Sequence, residues 1–204
     1  MREKYHLKED KKAFFYPRQW LLFYNSLKDK SKPYFMIAIN TGGRINEIRN
    51  LKVRDIDFNN KTLKFRVTKI KAKKGQTRPE PRIIKISTEF SNWLKRWIKA
   101  CKLKDDDTFN IPSTAAINKL IVTKLKKLDI IRDFKNTDFS SHNIRKTHGT
   151  WLNAIGVPAL EIALRMGHDI ETLRSSYASP SLFDETDLQE IKNILGDLYI
   201  NLRK

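Results

Sequence analysis

Three short segments carry side chains whose types and spacing suit chemistry on an anion. The first, T-G-G-R-I-N-E-I-R-N-L at 41–51, presents Arg44 behind two glycines at the start of a predicted helix. The second, H-N-I-R-K-T-H at 142–148, spaces His142 and Arg145 three apart, so on a helix they leave from one face. The third, L-R-M-G-H-D-I-E-T-L-R-S-S-Y at 164–177, sets His168 behind a glycine and Tyr177 nine residues on. A guanidinium offers permanent charge and a fixed fork of donors. An imidazole exchanges a proton near neutral pH, and a phenolic hydroxyl can attack as a nucleophile. Singly, each segment has an ordinary explanation: a solvated helix-start arginine, a surface pair, a C-cap glycine beside a half-buried imidazole, a packing tyrosine.

The elements that must position these segments follow from period and punctuation. Tyr16-Pro17 before RQWLLFYNSLK starts a helix, with Trp20, Leu21, Tyr24 and Leu27 at helical spacing. Pro33 opens a second helix, YFMIAIN, that stops at Gly42-Gly43. A third runs from about Ile45, with Ile45, Ile48 and Leu51 on one face. In KTLKFRVTKIK the period changes: Leu63, Phe65 and Val67 alternate with Lys64 and Arg66, as in a half-buried strand. AKKGQTRPE then turns the chain toward RIIKIS, giving a hairpin with a lysine-rich tip. Ser87 or Thr88 caps a helix carrying Phe90, Trp93, Leu94, Trp97 and Ile98. Further helices are expected at 113–128, 142–154, 158–166, 170–177 and 184–202. The last carries Leu188, Ile191, Ile194, Leu195 and Leu198 as an apolar stripe. The predicted fold class is mostly α with a small antiparallel β-sheet (α+β). Phe14-Phe15-Tyr16 and Trp93/Trp97 read as core, and His6 and His148 as structural rather than metal-binding.

Composition narrows the partner. The 204 residues hold 41 Lys+Arg against 23 Asp+Glu, a net charge of +18. Such an excess favours a polyanion, because neutralising phosphates releases their condensed counterions. A ribosomal factor or a merely well-solvated surface would carry similar charge, so charge alone does not separate a binder from an enzyme. A hydrophobic fraction of 40% suffices for an ordinary core, and Cys101, the single cysteine, excludes an internal disulfide. No apolar run approaches the roughly 18 residues of a membrane span. The expectation is a soluble, cytoplasmic protein with no membrane partner.

Order and spacing give the three segments a joint meaning, because together they resemble the signature boxes of the tyrosine recombinases, the lambda-type integrase and Xer family. Thr41 to Leu51 resembles the first box, TGxRxxExxxL, with Arg44 and Glu47 in register; His142-Asn-Ile-Arg145 resembles HxLR; Met166-Gly-His168 resembles LGH. Tyr177 falls where the family places its nucleophile. The resemblance covers about residues 15–180 and implies an enzyme that cleaves and rejoins DNA through a 3′-phosphotyrosine. On it, Arg44 and Arg145 clamp the scissile phosphate, and His142 and His168 add hydrogen bonds or proton transfer. A hairpin lysine then protonates the leaving 5′-oxygen. Lys69 is the favoured lysine and Lys71 the second. The resemblance further implies no metal or nucleotide cofactor. Its partners would be double-stranded DNA at an attachment site and further copies of the chain in a tetrameric synapse.

By the same resemblance, residues 1–180 form the catalytic domain and 181–204 a helical tail that contacts a neighbouring protomer. The boxes begin within about forty residues of Met1, so the family's N-terminal core-binding domain is expected to be absent. Integration or excision is the leading reading. Xer-type chromosome dimer resolution uses the same residues, and a type IB topoisomerase shares the chemistry. A non-catalytic DNA-binding remnant of the fold is the alternative from another class.

Overall fold

The computed structural model describes residues 13–66, 81–130, 139–167 and 182–199. Lys69, Lys71, His168, Tyr177 and the expected helix at 170–177 lie outside them. The described elements are helices with one small sheet. In chain order they are α1 (Pro17–Asn25), α2 (Lys32–Thr41), α3 (Ile45–Arg49), β1 (Ile56–Asp57), β2 (Thr62–Phe65), β3 (Arg82–Lys85) and α4 (Thr88–Cys101). Then come α5 (Thr114–Lys127), α6 (Ser141–Ala154), α7 (Ala159–Met166) and α8 (Glu185–Leu195), with single 3-10 turns at Asp29–Ser31, Val53–Asp55 and Asp197–Tyr199. Among the described residues, no helix is long and apolar enough to cross a membrane.

Two helices make the centre. α2 is apolar on nearly every face, and Tyr34, Phe35, Ile37, Ala38 and Ile39 are all buried; a helix hydrophobic all round belongs inside. It packs on α6, which buries Ile144, Trp151 and Leu152. α6 also buries polar groups, several of which hold the segment before α1. Thr147 Oγ1 accepts from the Phe15 backbone N at 3.0 Å, Asn143 Nδ2 donates to Ala13 O at 3.1 Å, and Trp151 Nε1 donates to Phe15 O at 2.9 Å. α6 therefore holds the 13–16 segment, whose Phe15 ring lies edge-on to Trp20 and Phe139. The sheet is antiparallel in the order β1-β2-β3, with Leu63 opposite Ile84 and Phe65 opposite Arg82.

Local signals set most boundaries. Pro17 occupies the first turn of α1, where its missing N–H costs nothing. Ser113 and Ser140 cap α5 and α6, accepting from Ala116 N at 3.3 Å and His142 N at 3.3 Å. Of the two expected caps for α4, Ser87 is the one, accepting from Phe90 N at 3.2 Å. Three details depart from the periodicity reading. α1 buries Trp20 and Phe23, while Leu21 is 36% exposed, because the helix faces the core through i, i+3 spacing from Trp20. Ile56–Asp57 pairs with Leu63 and Thr62 as an extra strand too short to show a period. The C-terminal helix stops at Leu195 instead of running to 202, because Gly196 at φ +77° breaks it. Its apolar stripe is used within the chain: Ile191 and Leu195 are buried, and α8 packs on α1 and α2.

Candidate active site

The first glycine of T-G-G-R ends α2. Gly42 sits at φ +62°, the left-handed cap, with its N–H bonded to Ala38 O at 2.8 Å. Space is as restrictive as torsion there, because a Cβ on Gly42 would lie 2.5 Å from His148 Cδ2. Gly43 is equally confined: a Cβ would lie 2.6 Å from Phe65 Cζ, and Thr41 Oγ1 accepts its N–H at 3.1 Å. The turn delivers Arg44 to the start of α3. There its backbone N donates to Glu47 Oε2 at 2.7 Å and its Nη1 donates to Glu47 Oε1 at 3.1 Å. The remaining Nη2 reaches across to Gly167 O at 3.0 Å, and the Arg44 side chain stays 49% exposed.

Arg145 approaches the same turn from inside. Only 2% exposed, it donates through Nη1 to Gly42 O and through Nη2 to Met166 O. Two arginines remote in sequence therefore hold consecutive carbonyls, Met166 and Gly167, of the turn leading to His168. One of them also ties that turn back to the glycines before Arg44. His142, one turn before Arg145 on α6, is exposed at the helix start. Partial burial and then the charges of Lys146, Arg145 and Arg44 lower its imidazole below the usual 6.5. It is accordingly neutral at pH 7 and able to accept a proton. Lys146 beside it is lowered by burial.

Glu47 is the carboxylate around which the arginines are organised. It is 8% exposed and takes a second guanidinium: Arg82, the first residue of β3, donates to Oε2 at 2.9 Å and to Oε1 at 3.2 Å. Burial pushes the Glu47 carboxyl up, but the bonds and charges of Arg82 and Arg44 outweigh it and hold it below 4.5.

Beneath the turn lies a polar layer in which His148 has the structural role expected of it, with Arg165 as a partner that the sequence did not announce. His148 is wholly buried, its Nδ1 2.6 Å from Ile39 O and its Nε2 3.2 Å from Arg165 Nε. Those partners fix the tautomer: Nδ1 donates to the carbonyl and Nε2 accepts from the guanidinium. Burial and the Arg165 charge hold the ring well below 6.5. Arg165 further donates to Asn40 O at 2.8 Å and Lys85 O at 2.7 Å, joining α2, β3, α6 and α7. A buried arginine next to the M-G-H box reads in sequence as an ordinary charged helix position, so only the contacts reveal it.

Of the six site residues expected from the sequence, Arg44 and Arg145 therefore meet at one turn. His142 stands one helical turn before Arg145, within the influence of both charges, and Lys69, His168 and Tyr177 lie outside the described residues. What stands in place is a cationic cluster of three guanidinium groups, those of Arg44, Arg145 and Arg82, with one imidazole and the carboxylate that Arg44 and Arg82 share. Of these groups Arg44, half exposed, turns a forked donor outward, where it can meet an oxyanion, whereas Arg145 is buried with both Nη groups on carbonyls.

Comparison with known proteins points the same way. The model of the phage integrase family matches residues 14–182. The tyrosine recombinase XerA of Saccharolobus solfataricus is 29% identical over 147 residues, covering 71% of this chain and 44% of that protein. Among solved structures, XerA recombinase superposes with a TM-score of 0.61 at 17% identity, covering 89% of this chain and 64% of the other. The Tn1549 transposon integrase in complex with transposon right end DNA gives 0.63 at 20% identity, with 90% and 66% covered. XerH site-specific recombinase bound to difH substrate gives 0.59 at 16%, with 79% and 49% covered. The chain spans less than half the length of the curated relative it matches.

Proposed function

This chain belongs to the phage integrase family, and from that premise we propose that it is a tyrosine site-specific DNA recombinase. The observation that carries the reading is the convergence of Arg44 and Arg145 on the Met166–Gly167 turn, immediately before His168. In the proposed reaction the Tyr177 hydroxyl attacks a DNA phosphodiester, and the bond to the 5′-oxygen breaks. Arg44 and Arg145 stabilise the charge that builds on the nonbridging oxygens. His142 and His168 hydrogen-bond those oxygens or take the proton that the Tyr177 hydroxyl gives up, and Lys69, with Lys71 as second choice, protonates the departing 5′-oxygen. The phosphotyrosine conserves the bond energy, so the reverse attack by a 5′-hydroxyl rejoins a strand without a nucleotide cofactor.

Double-stranded DNA is the proposed substrate, and a tetramer of the chain on paired sites the proposed assembly. Residues 1–180 act as the catalytic domain, in the cytoplasm of the host cell. Because the apolar stripe of α8 is used within the chain, protomer contacts by 181–204 would fall to the exposed face of that helix. Integration or excision of a mobile element is the biological setting favoured, with Xer-type dimer resolution as second reading. Among the structures that share the fold are the Tn1549 transposon integrase in complex with transposon right end DNA and the XerH site-specific recombinase bound to difH substrate.

The test is a nicked suicide substrate incubated with wild type and Tyr177→Phe, then denatured and resolved on a gel. A covalent band present in wild type and absent from Tyr177→Phe is the expected result. Salt-sensitive DNA binding with no covalent band on any attachment-site library would overturn the enzymatic reading in favour of a binding module.

A further inference from the structure

Arg82 belongs to none of the three sequence boxes, yet it lies where all three meet. Its two Nη groups grip both oxygens of Glu47, at 2.9 and 3.2 Å, and its guanidinium carbon lies 5.0 Å from the centroid of the Phe65 ring. A Cβ on Gly167 would come within 2.7 Å of Arg82 Nη1 and 3.7 Å of Arg44 Nη1, so both guanidiniums flank that glycine. The Arg82 side chain is only 13% exposed, against 49% for Arg44. Arg82 is thus turned inward onto the carboxylate, while Arg44 offers a face outward.

Charge balance explains why a second arginine is needed. Glu47 fixes Arg44 twice, through its backbone N and its Nη1. With Arg44 as its only cation, a buried carboxylate would cancel the charge that the site requires for a phosphate. With Arg82 present, two guanidiniums share one carboxylate, so Glu47 can orient Arg44 and the pair of turns remains net positive. Arg82 also stands where the chain returns from segment 67–80. Arg66, at the other flank of that segment, is likewise paired with a buried carboxylate, its Nη2 and Nε both donating to Asp55 Oδ1 at 2.6 and 2.9 Å.

Resting on the reading that Arg44 meets the scissile phosphate, we propose that Arg82 is a positioning residue of the reaction: through Glu47 it fixes Arg44 and offsets the carboxylate that would otherwise neutralise it. Arg82 does not itself touch DNA. The same bonds anchor the first residue of β3 to the carboxylate that orients Arg44, so one ion-pair cluster sets the relation between strand and arginine.

The experiment compares Arg82→Ala, Arg82→Lys, Glu47→Gln and the Arg82→Ala/Glu47→Gln pair in the full chain, each checked for folding by circular dichroism. Single-turnover cleavage of the suicide substrate at saturating protein is expected to fall by about 10- to 100-fold in Arg82→Ala, the scale of a misplaced catalytic group. Arg82→Lys, which keeps the charge without the fork, is expected to recover part of that loss and guards against a variant that fails to fold. Because Arg82 acts through Glu47, the double variant should be no slower than the slower single one. Losses that multiply, or a slope of affinity against salt that falls by about one phosphate contact in Arg82→Ala, would overturn the proposal. Either would mean that Arg82 meets DNA independently. A folded Arg82→Ala chain that cleaves at the wild-type rate would overturn it as well. One arm needs no DNA chemistry: the Glu47 carboxyl, followed by carbon-13 NMR, should titrate at higher pH in Arg82→Ala, since only Arg44 then faces it. Unchanged titration rejects the link between the two residues, whereas absence of any covalent band in wild type rejects the recombinase reading and leaves that link standing or falling by the NMR result.

Discussion

Arg145 and Arg165 are charged residues in the interior, and the hydrogen bonds described for them run to backbone carbonyls and an imidazole. Removing a partner from such a network leaves buried donors or acceptors stranded, which costs about 1–3 kcal/mol for each group and more for a charged one. Arg145→Lys keeps the charge but lacks the fork that spans Gly42 O and Met166 O. It is expected to lower the thermal midpoint and to cut covalent-adduct formation by about 10²-fold or more. An adduct yield within twofold of wild type would mean that geometry at this position matters little. His148 sets the acid limit of stability. The folded chain keeps the ring neutral, so below about pH 6.5 the unfolded chain binds a proton that the folded one refuses. Stability therefore falls on acidification by up to about 1.4 kcal/mol per pH unit. Glu47, whose folded value is lowered, adds to the decline as pH passes below 4.5. Urea midpoints should drop between about pH 7 and about pH 5 in wild type, with a smaller drop in His148→Phe; equal drops would place the sensitivity elsewhere. The boxes made Arg44, His142 and Arg145 legible before any coordinates. Arg82 and Arg165 were not legible, because their meaning lies in partners such as Glu47 and Asn40, 35 and 125 residues away in the chain.

Elements matter here chiefly for how they end. α2 stops in a left-handed glycine, α7 stops in another, Gly167 at φ +61°, and the arginines bind the carbonyls those stops expose. Gly42→Ala is therefore expected to be severe. The residue would be strained at φ +62°, and its Cβ would lie 2.5 Å from a ring pinned at both nitrogens. A loss of about 2–4 kcal/mol in urea unfolding is the expected outcome, and a change below about 0.5 kcal/mol would show that the turn can shift. The sequence announced these ends because glycine is the residue a left-handed cap selects. It announced the strands by alternation and the helices by their capping serines. No period marked β1, two residues long, as a strand, and the last helix was misjudged, where apolar spacing continues through Gly196 although the backbone does not. Leu21 was misplaced for a related reason: in R-Q-W-L-L-F-Y a dense apolar run fits more than one helical face, and packing around Phe15 and Trp151 decides in favour of Trp20 and Phe23.

At the scale of the whole molecule, a net charge of +18 together with the proposed function predicts strongly salt-dependent binding of DNA. Affinity for duplex DNA should fall by about 10³-fold or more between about 50 and about 200 mM salt, as read by fluorescence anisotropy. A salt-independent affinity would show that the charge serves another purpose. The general fold was legible because a helical period, a strand period and a set of turn residues agreed along most of the chain. The contacts between distant segments were not, since no local pattern encodes which helix meets which. Arg145 also bears on how a domain of this kind could change by descent. Its guanidinium fastens two turns from within, so a copy lacking the proposed reaction would still lose stability without it. Selection could release the half-exposed Arg44 first, and that position, rather than the buried arginine of the HxxR pair, is where idleness in a sister sequence would become visible.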